Sequence, residues 1–372
     1  MTRPKLDNRY DMVIAGAGMA GASLAAELAP HAHVLLLEAE DHPGMHATGR
    51  SAAFWMQSYG GAAILPLTAA SGACLAGLGF LTDRCALHIG RTCDIATLER
   101  FEQEYSAAGI GLKRLDRSGI EALVPGLREG WIAGLLEGDA KDIDVAGLHQ
   151  HYLALAHRSG AQIRCRAGLV SAERETEGWL LTLADGSRLR CETLVNAAGA
   201  WADEVARLAG VRPLGIQPLR RTMVQLRTGR NVPDDLPLVL GIDGSFYFKP
   251  EGGRLWLTPH DEHPSPPCDA VAEEIDVAIA IDRLEQVIDW PVRRVEHKWA
   301  GLRSFAPDRI PIYGRDERQP GFFWFAGQGG FGIQTAPAAA RLAAQQLLGL
   351  PYDAMTGQLD PARYDPARFG WK

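Results

Sequence analysis

The chain has 372 residues, of which 47% are hydrophobic and 22% charged, a composition typical of a globular protein with a large buried core. A net charge of -7 at pH 7, with no local basic patch, opposes binding to a nucleic-acid backbone. Six scattered cysteines without a C-x-x-C pair exclude a disulfide-stapled scaffold and argue against a zinc site. We therefore expect reduced thiols, no metal and a cytoplasmic protein.

The N-terminal part of the chain predicts a strand, a glycine turn, a helix and a second strand. The apolar run 12–15 leads into Gly16-Ala17-Gly18-Met19-Ala20-Gly21, helix formers follow at 22–29, and the apolar run 34–37 ends at Glu38. A G-x-G-x-x-G turn in this context brings a pyrophosphate close to unpaired N–H groups at the helix N-terminus. Glu38, 22 positions after Gly16, would bind an adenosine ribose and repel a 2′-phosphate, which disfavours NADP. The unit predicts NAD or FAD.

The remaining predicted elements suggest a second sheet in the middle of the chain and a return to the nucleotide-binding unit at its end. In chain order they are a helix at 148–158, an antiparallel meander at 169–195 that turns at Asp185-Gly186, alternating strands at 221–259, a helix at 272–288, a strand at 322–326, a glycine loop at 327–332 and an alanine-rich helix at 335–348. The nucleotide-binding unit is therefore expected to be discontinuous.

One stretch, 51–82, contains no charged residue. Gln57, Tyr59, Pro66 and several glycines interrupt it, so it lacks the continuous run of about 20 apolar residues that crosses a membrane. The N-terminal apolar run is too short for a cleaved signal peptide. We expect 51–82 to lie in the protein interior, and we expect no integral membrane segment.

The sequence after Glu38 distinguishes FAD from NAD. No second crossover helix follows at the usual short spacing; instead the chain continues as His46-x-Thr48-Gly49-Arg50-Ser51-Ala52-Ala53. With this block the sequence resembles the D-amino acid oxidase-like superfamily of FAD-dependent oxidoreductases, and it looks most like D-arginine dehydrogenase-type enzymes. Four further blocks carry the resemblance over nearly the whole chain: Leu194-Val195-Asn196-Ala197-Ala198-Gly199-Ala200-Trp201, Ser245-Phe246-Tyr247, Trp299-Ala300-Gly301-Leu302-Arg303-Ser304-Phe305 and Gln328-Gly329-Gly330-x-Gly332-Ile333-Gln334-Thr335.

The resemblance implies an α/β fold with a Rossmann-like FAD-binding domain of glutathione-reductase type and a substrate-binding domain that contains an antiparallel sheet. We expect the FAD-binding domain to comprise residues 1–84, 145–215 and 306–372, and the substrate-binding domain residues 85–144 and 216–305. The FAD is expected to be non-covalent, because the C-terminal block contains no cysteine. His46 is the alternative attachment point, although similar relatives with His-x-Thr-Gly hold FAD without a bond.

The cofactor-binding residues that we expect belong to the glycine turn, the ribose-binding carboxylate and the blocks of the resemblance. The C-terminal glycine loop opens a helix, so its N–H groups are expected to stabilise negative charge on the reduced flavin. The full set is Gly16, Gly18, Ala20, Gly21, Glu38, Thr48, Gly49, Arg50, Ser51, Ala52, Ala198, Gly199, Trp201, Gly329, Gly330, Gly332, Ile333 and Gln334.

Two arginines are candidates for binding a substrate carboxylate through a planar, bidentate contact. Arg303 lies in an otherwise apolar stretch, and Arg221 follows Arg220 at the start of a predicted strand. Because neighbouring strand residues point to opposite faces, only one of Arg220 and Arg221 should face the pocket, and the resemblance selects Arg221. It also implies that Tyr59 and Tyr247 line the substrate site and form hydrogen bonds with the substrate.

The side-chain pocket is where this chain departs from the D-arginine dehydrogenases that it resembles, and we expect the pocket to be apolar. D-Arginine dehydrogenases carry an acidic residue on a strand that aligns near Thr92, whereas the only nearby acid here is Asp94. A cationic side chain without a partner carboxylate is costly to bury, so we expect neutral or apolar D-amino acids to be preferred. A two-residue slip of the alignment, with Asp94 restoring a basic preference, is the alternative. The expected pocket residues are Phe54, Met56, Leu238 and Leu240.

The implied reaction is oxidative deamination: hydride passes from Cα of a D-amino acid to flavin N5, and the imino acid hydrolyses to a 2-oxo acid and ammonia. Two alternatives within the superfamily are an oxidase of glycine, sarcosine or another N-alkyl amino acid, and a 2-hydroxy acid dehydrogenase. Either O2 or a quinone could accept the electrons. A role in tRNA modification, known for some relatives, is disfavoured by the net charge of -7.

Other possible sites in the sequence are weaker. His260-Asp261-Glu262-His263 offers metal ligands, but it lies in a Pro-rich segment without a second cluster, so we expect a solvated loop. His149 and His151 are two positions apart on a predicted helix and cannot share a face. The sequence lacks the G-x-S-x-G motif of serine hydrolases.

Overall fold

The computed structural model describes residues 8–370. The α-helices are α1 (Met19–Leu28), α2 (Leu65–Leu78), α3 (Ile95–Ala107), α4 (Arg117–Leu123), α5 (Val145–Arg158), α6 (Ala202–Leu208), α7 (Glu274–Glu285) and α8 (Ala336–Leu348). Short 3-10 helices cover Thr92–Asp94, Gly199–Trp201, Pro361–Arg363 and Pro366–Phe369.

The strands build three sheets. In chain order they are β1 (Arg9–Ala15), β2 (Val34–Leu37), β3 (Phe54–Trp55), β4 (Leu81–Asp83), β5 (Ala86–Arg91), β6 (Leu112–Asp116), β7 (Trp131–Glu137), β8 (Lys141–Ile143), β9 (Gln162–Arg164), β10 (Leu169–Glu175), β11 (Gly178–Leu183), β12 (Arg188–Asn196), β13 (Gln217–Thr228), β14 (Leu238–Gly241), β15 (Tyr247–Glu251), β16 (Arg254–Thr258), β17 (His263–Pro264), β18 (Val292–Phe305), β19 (Ile312–Arg315) and β20 (Phe322–Ala326).

The first sheet has a parallel centre in which β1 lies between β12 and β2, with β20 beside β12 and β9 beside β2. Its central strands are apolar on both faces, as expected when both faces are covered. Ile14 packs in one core with α1, α5 and α8, whereas Val13 packs in a second core on the opposite face. The register pairs Ala15 with both Leu37 and Asn196. The glycine turn, Glu38 and the 197–201 segment therefore meet at one edge of the sheet.

The second sheet is mostly antiparallel, in the order β17-β13-β16-β15-β14-β5-β7-β6, with β18 also paired to β13. Its strands come from two separate segments of the chain, which are joined where β14 pairs in parallel with β5. All of these strands lie within the segments assigned to the substrate-binding domain. The predicted α/β fold class, with an antiparallel second sheet, is confirmed.

The elements differ from the predicted ones mainly at their ends. Helix α1 begins at Met19, inside the glycine turn, because Gly18 acts as its N-cap. The helix expected at 272–288 is shorter, Glu274–Glu285. The expectation that 51–82 is buried was wrong for α2, whose outward positions, including Ala73 and Gly77, are exposed. None of the helices described is long and apolar enough to cross a membrane.

Candidate active site

A continuous cavity runs from the glycine turn of the first sheet to β13 and β18 of the second. It brings together side chains and backbone from both sheets and from the C-terminal glycine loop. The predicted cofactor-binding residues that line it are Gly16, Gly18, Ala20, Glu38, Thr48, Arg50, Ser51, Ala52, Ala198, Gly199, Trp201, Gly329, Gly330, Gly332 and Ile333.

The glycine turn can be built only without side chains. Gly16 has φ of +102°, and a Cβ there would lie 2.5 Å from the carbonyl oxygen of Ala197. A Cβ at Gly21 would lie 1.9 Å from the carbonyl oxygen of Gly16. Helix α1 has no acidic residue in its first turn, and its N-cap, Gly18, has no side chain, although the N–H of Met19 donates to the Thr48 hydroxyl at 2.9 Å. Its N-terminal N–H groups at the cavity therefore fit a pyrophosphate.

The Glu38 carboxylate is fixed at the edge of the cavity. It is 9% exposed and accepts hydrogen bonds from the N–H groups of Ala17 at 3.2 Å and Glu40 at 3.0 Å. The sequence did not point to His149, whose Nε2 lies 2.9 Å from the carbonyl oxygen of Ala17. His149 therefore supports the glycine turn from α5, and a residue on a distant helix carries no local signal of that contact.

Arg50, in the segment between β2 and β3, contacts the second sheet and the 264–273 segment across the cavity. Its Nη1 donates to the carbonyl oxygens of Ala270 at 2.8 Å and Ala300 at 3.0 Å, and its Nη2 pairs with Asp269. Gly301, next to Ala300, lines the same part of the cavity. The arginine therefore contributes a positive charge to the cavity and also holds the 264–273 segment in place.

Three of the predicted cofactor-binding residues, Gly21, Gly49 and Gln334, do not line the cavity. The two glycines allow close backbone packing: a Cβ at Gly49 would lie 2.6 Å from the carbonyl oxygen of Gly44. Gln334 is buried; it accepts from the N–H of Met56 at 3.2 Å and donates to the carbonyl oxygen of Tyr59 at 3.2 Å. Its structural role is to hold the segment that carries Tyr59.

The two candidate arginines lie on the same face of neighbouring antiparallel strands. Arg221 pairs with Gly301 and Arg303 pairs with Leu219, which makes the arginines diagonal neighbours. Both line the cavity. Burial and, next, the charge of Arg303 lower the pKa of Arg221 to about 10. Arg220 points the other way and pairs with Glu273 and Asp276.

Arg221 is held by the segment that was expected to be a solvated loop. Its Nε donates to the carbonyl oxygen of Asp261 at 2.7 Å and its Nη2 to the Glu262 carboxylate at 3.1 Å. Asp261 is 8% exposed and accepts from the N–H and the hydroxyl of Thr222. The buried Nη1 of Arg221 has no hydrogen-bond partner within residues 8–370. One nitrogen of Arg221 is therefore free, and a bidentate contact of the expected kind would have to be shared with Arg303.

The same segment does not form a convincing metal site. Ligand atoms of Asp261, His263 and Asp276 lie within 4.8 Å of one another. The Arg220 guanidinium, however, donates to Asp276 at 3.0 Å, and Thr222 uses both oxygens of Asp261. The positively charged Arg220 side chain thus already pairs with this acidic cluster, and we interpret the arrangement as an ion-pair network and not as a metal site.

Both predicted tyrosines lie beside the arginines. The Tyr59 hydroxyl accepts a hydrogen bond from Nη1 of Arg303 at 2.8 Å. Tyr247 is 1% exposed, and burial raises the pKa of its hydroxyl. Gly330 makes the approach of the C-terminal loop possible, because a Cβ there would lie 2.8 Å from Nη1 of Arg303 and 2.9 Å from the Tyr59 oxygen. The two tyrosines and two arginines therefore form one polar cluster against the glycine loop.

The predicted pocket residues Phe54, Met56, Leu238 and Leu240 form one buried apolar cluster with Ala86, Ala140, Met223 and Tyr247. Ala52 belongs to the same cluster, and of its members Ala52, Met223 and Tyr247 line the open cavity, whereas the four predicted pocket residues do not. Thr92 lies after the end of β5, in the 3-10 helix Thr92–Asp94, and the residue of β5 that reaches the cluster is Ala86. Asp94 instead accepts from the N–H of Arg91 at the far end of β5, at 2.8 Å.

Comparisons with known proteins agree with this site. Residues 11–346 match the family model described as FAD dependent oxidoreductase. A glycine oxidase of Pseudomonas aeruginosa is 28% identical over 262 residues, which cover 66% of this chain and 65% of that protein. The mitochondrial dimethylglycine dehydrogenase of Mus musculus is 26% identical over 63% of this chain, but only 29% of that protein is covered. The chain thus matches less than two thirds of the length of each relative.

The fold is shared with solved structures. Glycine oxidase from Geobacillus kaustophilus superimposes with a TM-score of 0.83 over 97% of this chain and 99% of that one, at 21% sequence identity. The family match confirms the prediction of FAD, held without a covalent bond. The specific similarity to D-arginine dehydrogenases is not among these findings.

Proposed function

The chain belongs to the family of FAD dependent oxidoreductases, and we propose that it catalyses the oxidative deamination of a D-amino acid with a neutral or apolar side chain. We infer the D configuration of the substrate from the resemblance of the sequence blocks to D-arginine dehydrogenase-type enzymes. The cytoplasmic location, and O2 or a quinone as electron acceptor, are parts of the same proposal.

One observation carries the assignment to an amino acid: two guanidinium groups face the cavity, and one buried nitrogen of Arg221 lacks a partner. Burying a cationic nitrogen without an acceptor is costly, so the site is built for an anion. A carboxylate shared between Arg221 and Arg303 satisfies both groups, and the neighbouring hydroxyls of Tyr59 and Tyr247 supply further contacts.

The residues of the chain would bind and orient the substrate rather than take its protons. Arg221 and Arg303 hold the carboxylate, and the Tyr59 hydroxyl, which already accepts from Arg303, remains free to donate to the substrate. When bound at the glycine turn, FAD supplies the acceptor for the hydride that leaves Cα. A substrate whose amine has lost its proton then becomes an imino acid, which water converts to a 2-oxo acid and ammonia.

The apolar cluster supports the side-chain preference. Ala86 contributes only a methyl group, and the carboxylate of Asp94 is occupied at the other end of β5. An apolar substrate side chain against Met223, the member of this cluster that lines the cavity beside Tyr247, would gain roughly 25 cal/mol for each Å² removed from water. A lysine or arginine side chain would lose its hydration there, and none of the residues in the cluster carries a charge that would compensate for this loss.

A second candidate is the oxidation of glycine, sarcosine or another N-alkyl amino acid. The ring of Phe54 packs edge-on against Tyr59 and Tyr247, with centroid distances of 5.0 and 5.8 Å, so the cluster already fills the space behind the open cavity. A small substrate needs no rearrangement of these rings. The similarity to glycine oxidase and dimethylglycine dehydrogenase points the same way.

The deciding experiment is anaerobic bleaching of the enzyme-bound flavin by a panel of substrates. The panel contains D-phenylalanine, D-leucine, D-methionine, D-arginine, their L enantiomers, glycine, sarcosine and D-phenyllactate. The proposal expects the apolar D-amino acids to bleach fastest. Fastest bleaching by glycine or sarcosine would establish the second candidate, and by phenyllactate a 2-hydroxy acid dehydrogenase. Turnover in air with and without an artificial acceptor then distinguishes O2 from a quinone.

A further inference from the structure

A buried carboxylate lies directly behind the segment that carries Tyr59. Glu137, at the end of β7, is 1% exposed. Its Oε1 accepts from the N–H of Gln57 at 2.9 Å, and its Oε2 accepts from the hydroxyl of Ser58. Both donors immediately precede Tyr59 in the chain, so the carboxylate contacts the active-site segment and lies outside the cavity lining.

Glu137 has no counter-charge among the residues that the structure describes: no lysine or arginine forms an ion pair with it. His88 is a basic group on the same hydroxyl: its Nε2 lies 3.5 Å from the Ser58 oxygen. Burial lowers the pKa of His88 to about 4, so this imidazole is neutral at pH 7. An isolated buried carboxylate is costly, and an apolar residue in its place would serve folding better. The cost points to a role in the site.

The ring of Tyr59 packs edge-on against Phe54 and Phe331, with centroid distances of 5.0 and 5.2 Å, whereas its backbone depends on hydrogen bonds from other segments. Gly60 and Gly61, which follow Tyr59, have φ of +107° and +78° and carry no side chains. On the side of the C-terminal loop, Gln334 donates to the carbonyl oxygen of Tyr59. Glu137 provides the second attachment, from the second sheet. The backbone around Tyr59 is thus held by Gln334 on the side of the C-terminal loop and by Glu137 on the side of the second sheet.

We infer that Glu137, acting through Gln57 and Ser58, is a positioning residue that places the Tyr59 hydroxyl against Arg303 and so sets the affinity of the site for carboxylates. The inference rests on the proposed function, in which Tyr59 and Arg303 bind the substrate carboxylate. Its effect should reach the ligand only through the Tyr59 hydroxyl, which distinguishes it from a general contribution to folding.

The test is a double-mutant cycle on the FAD-loaded enzyme, read as the Kd of benzoate from the change in flavin absorbance. Glu137→Gln and Tyr59→Phe are each expected to raise Kd about ten-fold, the loss typical of one hydrogen bond to a charged group. The double variant should be no weaker than Tyr59→Phe alone, because the positioning effect has no hydroxyl left to act on. Ser58→Ala provides the same cycle if Glu137→Gln does not fold.

Asp203 offers a matched control. It is another partly buried carboxylate whose pKa is raised by burial, and it accepts from the backbone N–H groups of Leu214, Gly215 and Ile216. Asp203→Asn should lower the melting temperature and leave the Kd of benzoate unchanged. Additive losses in the cycle, or an unchanged Kd in both Glu137→Gln and Ser58→Ala, would overturn the inference. If the wild-type enzyme binds no benzoate, the carboxylate site of the proposed function fails instead.

Discussion

The cofactor edge of the first sheet and the arginine-tyrosine cluster of the second are built in different ways. At the cofactor edge, backbone atoms approach one another where side chains are missing, as at Gly16 and Ala197. In the cluster, side chains meet from distant parts of the sequence: Arg303 and Tyr59 are 244 positions apart, and Arg221 and Glu262 are 41 apart. The first arrangement tolerates no added atoms. The second tolerates exchange of side chains, so differences in substrate within one fold are expected there.

The largest effect is expected at the cofactor edge. Gly21→Ala places a methyl group 1.9 Å from the carbonyl oxygen of Gly16, which forces the turn open. We expect complete loss of bound FAD. The measurement is the ratio of flavin absorbance, at about 450 nm where oxidised flavin absorbs, to protein absorbance after gel filtration. Gly77→Ala is the matched control: it lies on the exposed side of α2 with open space around it. That variant should keep its FAD, and its free energy of unfolding should rise by about 0.5 to 1 kcal/mol. FAD retained by Gly21→Ala would refute this account of the turn.

The next largest effect is expected in the arginine-tyrosine cluster, where activity should fall while FAD stays bound. Arg303→Met and Arg221→Met remove a charged contact worth roughly 2 to 5 kcal/mol, so kcat/KM should fall about 30- to 5,000-fold. The FAD content should stay at the wild-type level, since neither side chain builds the glycine turn. Arg220→Met, whose side chain points away toward Glu273 and Asp276, should leave kcat/KM nearly unchanged. Unchanged kinetics in Arg303→Met would assign that arginine to folding.

The same contrast explains what could be predicted from the sequence. Gly16, Gly18 and Glu38 belong to a local pattern whose geometry follows from neighbouring residues. The alternation of Arg220 and Arg221 was also predictable, because it depends only on strand geometry. Asp261 was misinterpreted as part of a solvated loop, although the neighbouring Glu262 is exposed as expected. Nothing in the local sequence of Asp261 indicates a partner 40 positions away.

Glu137 carried no signal in the sequence at all. A glutamate at the end of an apolar strand looks like an exposed residue, and its burial depends on how the 56–61 segment packs across the second sheet. Gln334 was placed on the cofactor by its motif, but its amide is used by the backbone of the same segment. Contacts between remote segments are set by tertiary packing, which single-sequence patterns do not encode.

A third prediction concerns stability and pH in the second sheet. His88 is 5% exposed, and burial lowers its pKa from 6.5 to about 4. The unfolded chain therefore binds a proton that the folded protein rejects between these values, and stability that is present above pH 6.5 is lost as the pH falls toward 4. The shift corresponds to about 3 kcal/mol. Burial raises the pKa of Glu137, so this carboxyl group changes stability with pH in the opposite direction. Glu137 is present in both proteins that are compared below.

The measurement is the free energy of unfolding in urea at several pH values, for the wild type and for His88→Leu. The variant should lose about 3 kcal/mol less than the wild type on going from neutral to acidic pH, because it has no imidazole to protonate. Equal pH slopes for the two proteins would mean that His88 is hydrated in the folded state. The FAD content of the variant should not change, which would separate this part of the molecule from the cofactor edge.

The smallest expected effect tests how much the charge of Glu262 matters to the cluster. Its side chain is 35% exposed and contacts Nη2 of Arg221 at 3.1 Å. Glu262→Gln keeps an oxygen for that hydrogen bond but removes a negative charge near the carboxylate site. Benzoate should therefore bind more tightly, by only two- to five-fold, since an exposed ion pair is worth up to about 1 kcal/mol. Added salt should reduce the difference, because it screens exposed charges.

Two further variants separate charge from position at Glu262. Glu262→Ala also removes the hydrogen-bond acceptor, so Arg221 keeps only the contact of its Nε with Asp261, and the greater freedom of the guanidinium should weaken benzoate binding rather than strengthen it. Glu177→Gln removes an equal charge from an exposed pair with Arg9 on the first sheet and should leave Kd unchanged. If Glu262→Gln and Glu262→Ala weaken benzoate binding equally, the prediction for Glu262→Gln is wrong. Glu262 then acts on Arg221 through its charge and not through the hydrogen bond alone. In that case the cluster requires a nearby carboxylate, just as the cofactor edge requires its glycines.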